Sequence, residues 1–338
     1  MKAVILVGGF GTRLRPLTLS VPKQMLPMGS VTMLQRVVEH LGGLGVEEVV
    51  LSLGYQPEVF LREFPDGEVA GVPVRYAVEP EPLDTGGAIA FAAREAGIDS
   101  TFLALNGDVL TDLDVSELWR YHQQAGGAAT IALTEVDDPS RYGVVPLDGD
   151  GRVEAFIEKP EPGTAPTHWI NAGTYVLEPE VLDLVPPGAR RSIEREIFPE
   201  LVEQGRLYGL QAASYWIDAG TPEAYLQAHL DLLDGLRGSF EPAIHESARI
   251  DAGAMVKRSA VGPGVIVASG ARVVDSVVMA GARISAGASV HRSIIGARSV
   301  IGESCELTDL TVVGFDEDVP AGTVESGGRF PPPTEWPT

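Results

Sequence analysis

Two periods of apolar residues divide the chain. Over roughly the first two-thirds, short aliphatic runs alternate with segments whose apolar side chains recur every three or four positions. Residues 4–7, 49–53, 74–78 and 102–105 are apolar runs of the length a buried strand needs. Leu34, Val37, Val38 and Leu41 mark one face of a helix over 33–44, Pro57 suits the first turn of a short helix, and 88–96 predicts another. This βαβα rhythm predicts an α/β domain built on a Rossmann-like, mostly parallel sheet with helices on both faces. Ligands then bind beyond the carboxyl ends of the strands, so residues that directly follow strands are the candidates for chemistry.

From about Pro242 the pattern changes. Aliphatic residues recur from Ile244 to Val319 in steps of six broken by regular fives, with scarcely an aromatic before Phe315. VKRS at Val256, VVDS at Val273, VHRS at Val290 and LTDL at Leu307 follow one another every seventeen residues. Repeats this short cannot bury a face alone and must stack into a solenoid. The pattern resembles the hexapeptide repeat of left-handed parallel β-helices, one aliphatic residue per turn of a triangular prism. The expected organisation is a catalytic domain over 1–236, a β-helix over 242–325 and a tail over 326–338.

Composition narrows the function. With 338 residues the chain is long enough for two cores, and a net charge of −22 opposes nucleic acid, leaving small charged substrates open through a local basic pocket. A single cysteine, Cys305, excludes an internal disulfide framework and a cysteine-based zinc cluster, which points to the cytoplasm. The apolar run after Lys2 stops at Val7, too short for a signal peptide, and no stretch reaches the length of a membrane span.

The first strand ends on a loop with Gly8, Gly9 and Gly11, followed by Arg13 and Lys23. Glycines let the backbone approach an anion, and consecutive N–H groups can wrap a phosphate. Neither the dinucleotide G-x-G-x-x-G nor the Walker loop fits, because Leu14 stands where the former needs glycine and no Gly-Lys-Ser/Thr closes the turn. GGFGTRLRPLT followed by PKQMLP instead strongly resembles the signature of the sugar-1-phosphate nucleotidyltransferases, and the resemblance extends over nearly the whole chain. It implies transfer of a nucleotidyl group from a nucleoside triphosphate to a sugar 1-phosphate, with pyrophosphate released.

The same resemblance assigns roles. Leu6, Gly8, Gly9, Gly11, Thr12, Arg13 and Lys23 would contact the nucleotide. EPEPLDTGGAIAF matches the stretch that lies along the base, giving Pro82, Thr85, Gly86 and Gly87, with Asp84 where the family pattern has glycine; Asp84 or Thr85 could also cap the helix that follows. Asp108 follows a buried strand in LNGDVL and Asp218 lies in YWIDAGTPEAY; two carboxylates facing polyphosphate imply Mg²⁺ as the ion between them. Asp112 reads as a helix or turn cap. YGVV, FIEKP and INAGTYVL supply Gly143, Glu158, Lys159, Asn171 and Gly173 on the sugar-phosphate side, where a carboxylate and an amide suit vicinal hydroxyls. Arg13, Lys23, Asp108 and Asp218 would carry catalysis.

For the substrate, the appended β-helix resembles the guanylyltransferases and the long thymidylyl- and uridylyltransferases alike, while SIEREIFPEL and GGFGTRLRPLT lean towards the guanylyl group, making GDP-mannose from GTP and mannose 1-phosphate. PKQMLP, through Gln24, resembles the thymidylyl group, and dTDP-, UDP- or ADP-glucose-type or cyclitol-phosphate acceptors are the alternatives. A hexapeptide acyltransferase would need a histidine beside an extruded loop, whereas His245 and His291 lie within regular coils. A non-catalytic regulatory subunit would have no need of all four charged residues. The solenoid suggests a homo-oligomer.

Overall fold

A computed structural model describes residues 1–237 and 241–337. The expected junction at 237–241 is therefore described except for 238–240, and Thr338 of the expected tail lies outside the described residues. The chain forms two compact units, Met1–Gly9 with Val37–Trp216, and Phe10–Arg36 with Ile217–Thr338.

The first unit is built on a ten-stranded mixed sheet. Its strands are β1 (Lys2–Leu6), β2 (Glu48–Leu53), β3 (Glu68–Val69), β4 (Val72–Val78), β5 (Phe102–Asn106), β6 (Ala129–Glu135), β7 (Gly143–Val144), β8 (Ile157–Glu158), β9 (Trp169–Leu177) and β10 (Leu207–Gln211). The path runs β8-β7-β9-β5-β1-β2-β4-β3, with β6 on the other side of β9 and β10 beyond it. β1 lies parallel to β2 and β5, and β2 parallel to β4; β9 enters antiparallel to β5. The four runs expected as strands are thus the parallel centre; β1, β2 and β5 are near-continuously apolar because both faces are buried, whereas β4 alternates buried and exposed residues, with Val78 45% exposed. The expected helix over 33–44 is α1 (Met33–Gly43), α2 (Pro57–Glu63) follows β2, and α3 (Asp84–Glu95), α4 (Val115–Ala125) and α5 (Phe198–Glu203) pack on the sheet. Asp114, not Asp112, caps α4, its carboxylate accepting from the amides of Ser116 at 2.8 Å and Glu117 at 3.3 Å.

The second unit contains residues 10–36, the helix α6 (Pro222–Leu233) and the solenoid. Three parallel five-stranded sheets form the faces of a prism, beginning at Arg249–Ile250, Met255–Lys257 and Ala260–Val261. Partners lie seventeen residues apart, Val256 on Val273 and Val273 on Val290, as a left-handed parallel β-helix of the hexapeptide type requires. The pitch widens once: Ile294 pairs with Val312, eighteen residues on, and Asp309 and Leu310 take up the extra residue with φ of 49° and 65°. The inward aliphatics from Val261 to Val319 are fully buried, whereas Ile244 in the first coil is 39% exposed because no coil lies beneath it. A column of buried serines runs up one corner: Ser276 N–H donates to Ser259 Oγ and Ser293 N–H to Ser276 Oγ, each at 3.1 Å, and each hydroxyl donates to the carbonyl two residues earlier.

Candidate active site

In the first unit, the candidate residues gather at the carboxyl ends of the parallel strands. Leu6 ends β1, and its carbonyl accepts from Gly107 N–H at 3.0 Å, while Val7 N–H donates to Ser52 O at 3.1 Å. Beyond it, a Cβ on Gly8 would lie 3.1 Å from Gly54 N and 3.3 Å from Glu79 Oε1, so the loop crosses the end of β2 in close backbone contact. Gly9 follows, still in this unit.

Glu79 organises the expected base loop. It accepts from Ser52 Oγ at 3.0 Å and from Leu83 N–H at 3.1 Å. Asp84 sits at φ 61°, the left-handed conformation in which the family pattern has glycine, and its carboxylate pairs with Arg195 at 2.7 Å. Neither Asp84 nor Thr85 caps α3; Thr85 Oγ1 donates to Glu194 at 2.6 Å and accepts from Ile193 N–H at 3.0 Å. The two glycines have a reason the sequence did not reveal. A Cβ on Gly86 would lie 3.0 Å from Arg191 O, and one on Gly87 2.6 Å from Ala189 O, so both glycines let the helix start press on the 189–193 backbone. Pro82 remains exposed at the head of the loop.

Asp108 follows β5, next to Gly107, where any side chain would strike Val7 and Ile5 of the adjoining strand. The sugar-side residues converge on the same strand end. β9 bulges between Asn171 and Tyr175, and Gly173 in the bulge, at φ 75°, comes so close to Asn106 that a Cβ would lie 2.7 Å from its amide nitrogen. Asn171 shapes the bulge, accepting from Gly173 N–H at 2.8 Å and donating to Tyr175 OH at 2.9 Å. Burial, with the Glu194 and Glu158 carboxylates adding to it, holds the Tyr175 phenol well above its ordinary pKa and keeps it neutral. Gly143 pairs with Glu158 across β7 and β8 and has no room for a side chain against the Phe156 ring. Lys159 Nζ lies 3.2 Å from Glu158 Oε1.

Two aromatic residues complete this side and were not singled out by sequence. Trp216 Nε1 donates to Ala172 O at 2.8 Å, and its ring meets Tyr142 edge-on at 5.5 Å. Both lie inside motifs already recognised, YWID and YGVV, but nothing in one dimension placed them together.

The second unit holds Gly11, Thr12, Arg13, Lys23 and Asp218. Gly11, at φ 61°, opens a 3-10 turn over Thr12–Leu14; a Cβ there would lie 3.3 Å from Lys23 Cβ, so the turn packs directly on the lysine. Arg13 reaches Asp218 at 3.9 Å, and Asp218 also accepts from Gly220 N–H at 2.9 Å just before α6, which Thr221 caps. Residues more than 190 positions apart in sequence therefore meet in one cluster of arginine, lysine and carboxylate. α6 fixes this cluster from below: the Tyr225 hydroxyl and His229 Nε2, the latter at 3.2 Å, both reach the carbonyl of Pro27, four residues after Lys23. Gln24 is only 1% exposed.

Asp108 and Asp218 are hard oxygen donors, each partly exposed. No group of three or more metal-ligating side chains occurs among the described residues. Mg²⁺ keeps waters and binds through one or two carboxylates plus substrate phosphates, and the oxygen chemistry of Asp108 and Asp218 suits it. No helix among the described residues is long and apolar enough to cross a membrane.

A phosphate-approach loop with arginine and lysine in one unit and a strand-end carboxylate in the other are the parts a nucleotidyl-transferring enzyme needs, and sequence comparison agrees. Residues 2–235 match the family described as "Nucleotidyl transferase" and residues 241–327 match "GMPPB C-terminal domain"; the chain belongs to the nucleotidyltransferase family and is a sugar-1-phosphate nucleotidyltransferase. It is 42% identical over 291 residues to "Mannose-1-phosphate guanylyltransferase" of Mycobacterium tuberculosis, covering 83% of this chain and 80% of the relative. It is 39% identical over 355 residues to "Probable mannose-1-phosphate guanylyltransferase 3" of rice, covering 99% and 97%. Among solved structures, HddC from Yersinia pseudotuberculosis is 32% identical with a TM-score of 0.59, covering 68% of this chain and 97% of HddC, and it has also been solved "complexed with GMP-PN".

Proposed function

We propose that the protein makes GDP-mannose and pyrophosphate from GTP and mannose 1-phosphate. The observation that carries the reaction type is the cluster in which Gly11 packs on Lys23 while Arg13 faces Asp218. The choice of substrate is supported by relatives named for mannose 1-phosphate guanylyl transfer that match both the sheet region and the β-helix. Gln24, the residue that leans towards the thymidylyl group, is buried.

In this reading an oxygen of the sugar 1-phosphate attacks the α-phosphorus in line; one P–O bond forms, the bond from the α-phosphorus to the bridging oxygen breaks, and pyrophosphate leaves with the electron pair. The nucleophile is already an anion, so no base is required. The barrier lies in bringing two anions together and orienting them. Arg13 neutralises the departing pyrophosphate, and Lys23 stands at the α-phosphate where charge develops. Glu158 and Asn171, beside the Gly173 bulge, take the sugar hydroxyls, and Lys159 the sugar phosphate. The loops around Leu6, Gly8, Gly9 and Gly11 admit the triphosphate, and the stretch Pro82 to Gly87 faces the base. Asp108 and Asp218 would each supply a carboxylate to Mg²⁺, which when bound would offset polyphosphate charge. We place the enzyme in the cytoplasm and assign the β-helix to homo-oligomer assembly.

The test is release of pyrophosphate from five nucleoside triphosphates, each paired with mannose, glucose and related 1-phosphates in the presence of Mg²⁺. Turnover with GTP and mannose 1-phosphate alone supports the assignment; a different single active pair replaces the substrate, and silence across the set removes the reading.

A further inference from the structure

The stretch after the solenoid's last aliphatic position is ordered structure with a specific neighbour. Strands Val324–Ser326 and Arg329–Phe330 complete the final coil, and a 3-10 turn follows over Pro333–Glu335. Trp336 folds back, its indole N–H donating to Pro331 O at 3.0 Å, and its ring lies under the guanidinium of Arg15, 6.0 Å from carbon to ring centre. Pro16 touches the same coil: a Cβ on Gly314 would lie 3.3 Å from Pro16 Cβ, and Gly314 N–H is bonded to Phe330 O at 2.7 Å. Burial, with the Glu335 carboxylate next in weight, raises the pKa of Glu317, as expected if the turn lies against the coil.

Arg15 directly follows the Thr12–Leu14 turn that carries Arg13 and caps its end. Its N–H donates to Thr12 O at 3.3 Å, and Leu14 N–H to Gly11 O at 2.9 Å. Fixing Arg15 from behind therefore restricts the direction in which Arg13 leaves the loop. We infer that the final coil and Trp336 brace the arginine loop, and that Trp336, acting through Arg15, is a positioning residue for Arg13. The β-helix then has a part in nucleotide binding as well as in assembly. The inference rests on the nucleotide-loop reading above, but the brace can be measured without any substrate.

The experiment compares the full chain with Trp336→Ala, Trp336→Phe, Arg15→Ala and the Arg15→Ala/Trp336→Ala double variant. Hydrogen exchange at the amides of Leu14 and Arg15 in ligand-free protein reads the brace; KM for GTP, pyrophosphate and mannose 1-phosphate reads its use. Trp336→Ala is expected to speed exchange and raise KM for GTP and pyrophosphate by about two- to fivefold, the size of one exposed cation–π contact, with KM for mannose 1-phosphate unchanged. Trp336→Phe, which keeps a ring face, restores both, and the double variant is no worse than the stronger single one. Wild-type exchange in Trp336→Ala, or losses that add in the double variant, overturns the brace. If the wild type binds no nucleoside triphosphate, the functional reading fails while the exchange result still decides the brace.

Discussion

His229 offers a sharp electrostatic prediction. It is 3% exposed on α6, its Nε2 faces Pro27 O, and burial, reinforced by the Arg36 guanidinium and opposed by the Pro27 carbonyl and Glu241, lowers its pKa from 6.5 to about 4. The folded protein thus resists a proton that the unfolded chain accepts. The stability conferred by the neutral ring is complete above pH 6.5 and disappears as the pH falls to about 4, a total of about 3 kcal/mol, of which about 2 kcal/mol is gone by pH 5. His229→Gln keeps an N–H for the Pro27 carbonyl but does not titrate. Urea unfolding at pH 7 and pH 5 should show the wild type losing about 2 kcal/mol more than this variant across that interval. Equal losses would mean that the ring is already solvated or charged in the native state, and the clamp on Pro27 would have to be abandoned.

Other outcomes follow from the same geometry. Lys23→Ala should lower kcat by about a hundredfold or more with KM for mannose 1-phosphate within about threefold; steady-state kinetics showing equal losses in both would refute the role at the α-phosphate. Gly173→Ala forces a side chain into a left-handed bulge against Asn106 and should reduce kcat/KM by on the order of tenfold, whereas wild-type kinetics would show that the bulge is not part of the site. Ser276→Ala leaves the buried Ser293 N–H without its acceptor and should cost about 1–3 kcal/mol in denaturant unfolding, with kcat unchanged. Chelation of Mg²⁺ should abolish pyrophosphate release and re-addition restore it; full activity in excess chelator would remove the assignment of Asp108 and Asp218.

The sheet centre was legible because strands buried on both faces cannot hide: 4–7, 49–53 and 102–105 admit almost no polar residue, while 74–78, with Arg75 exposed, shows a strand with one open face. The solenoid was legible because every coil repeats one environment, and even its eighteen-residue coil shows as consecutive sixes from Ile295 through Ile301, Leu307 and Val313 to Val319. The start of α3 was not. Its first turn, Asp84, Thr85, Gly86 and Gly87, has poor helical propensity and is held by bonds to residues 191–195, about a hundred positions away. The same distance explains why a further constraint on Gly86 and Gly87, the 189–193 backbone pressed against them, could not be read from the chain. Trp216, Tyr142, Asn106 and Glu194 owe their places to tertiary partners that no spacing in the chain records.

The arginine loop, residues 10–36, belongs to the unit completed by 217–338. On a ribosome adding about 5–20 residues per second, the loop therefore emerges roughly ten seconds or more before Asp218, Tyr225 and His229 exist to receive it. Nascent or prematurely terminated chains lack Asp218, the partner of Arg13, and the α6 side chains that hold the Pro27 carbonyl, so the setting of this loop is completed late in translation.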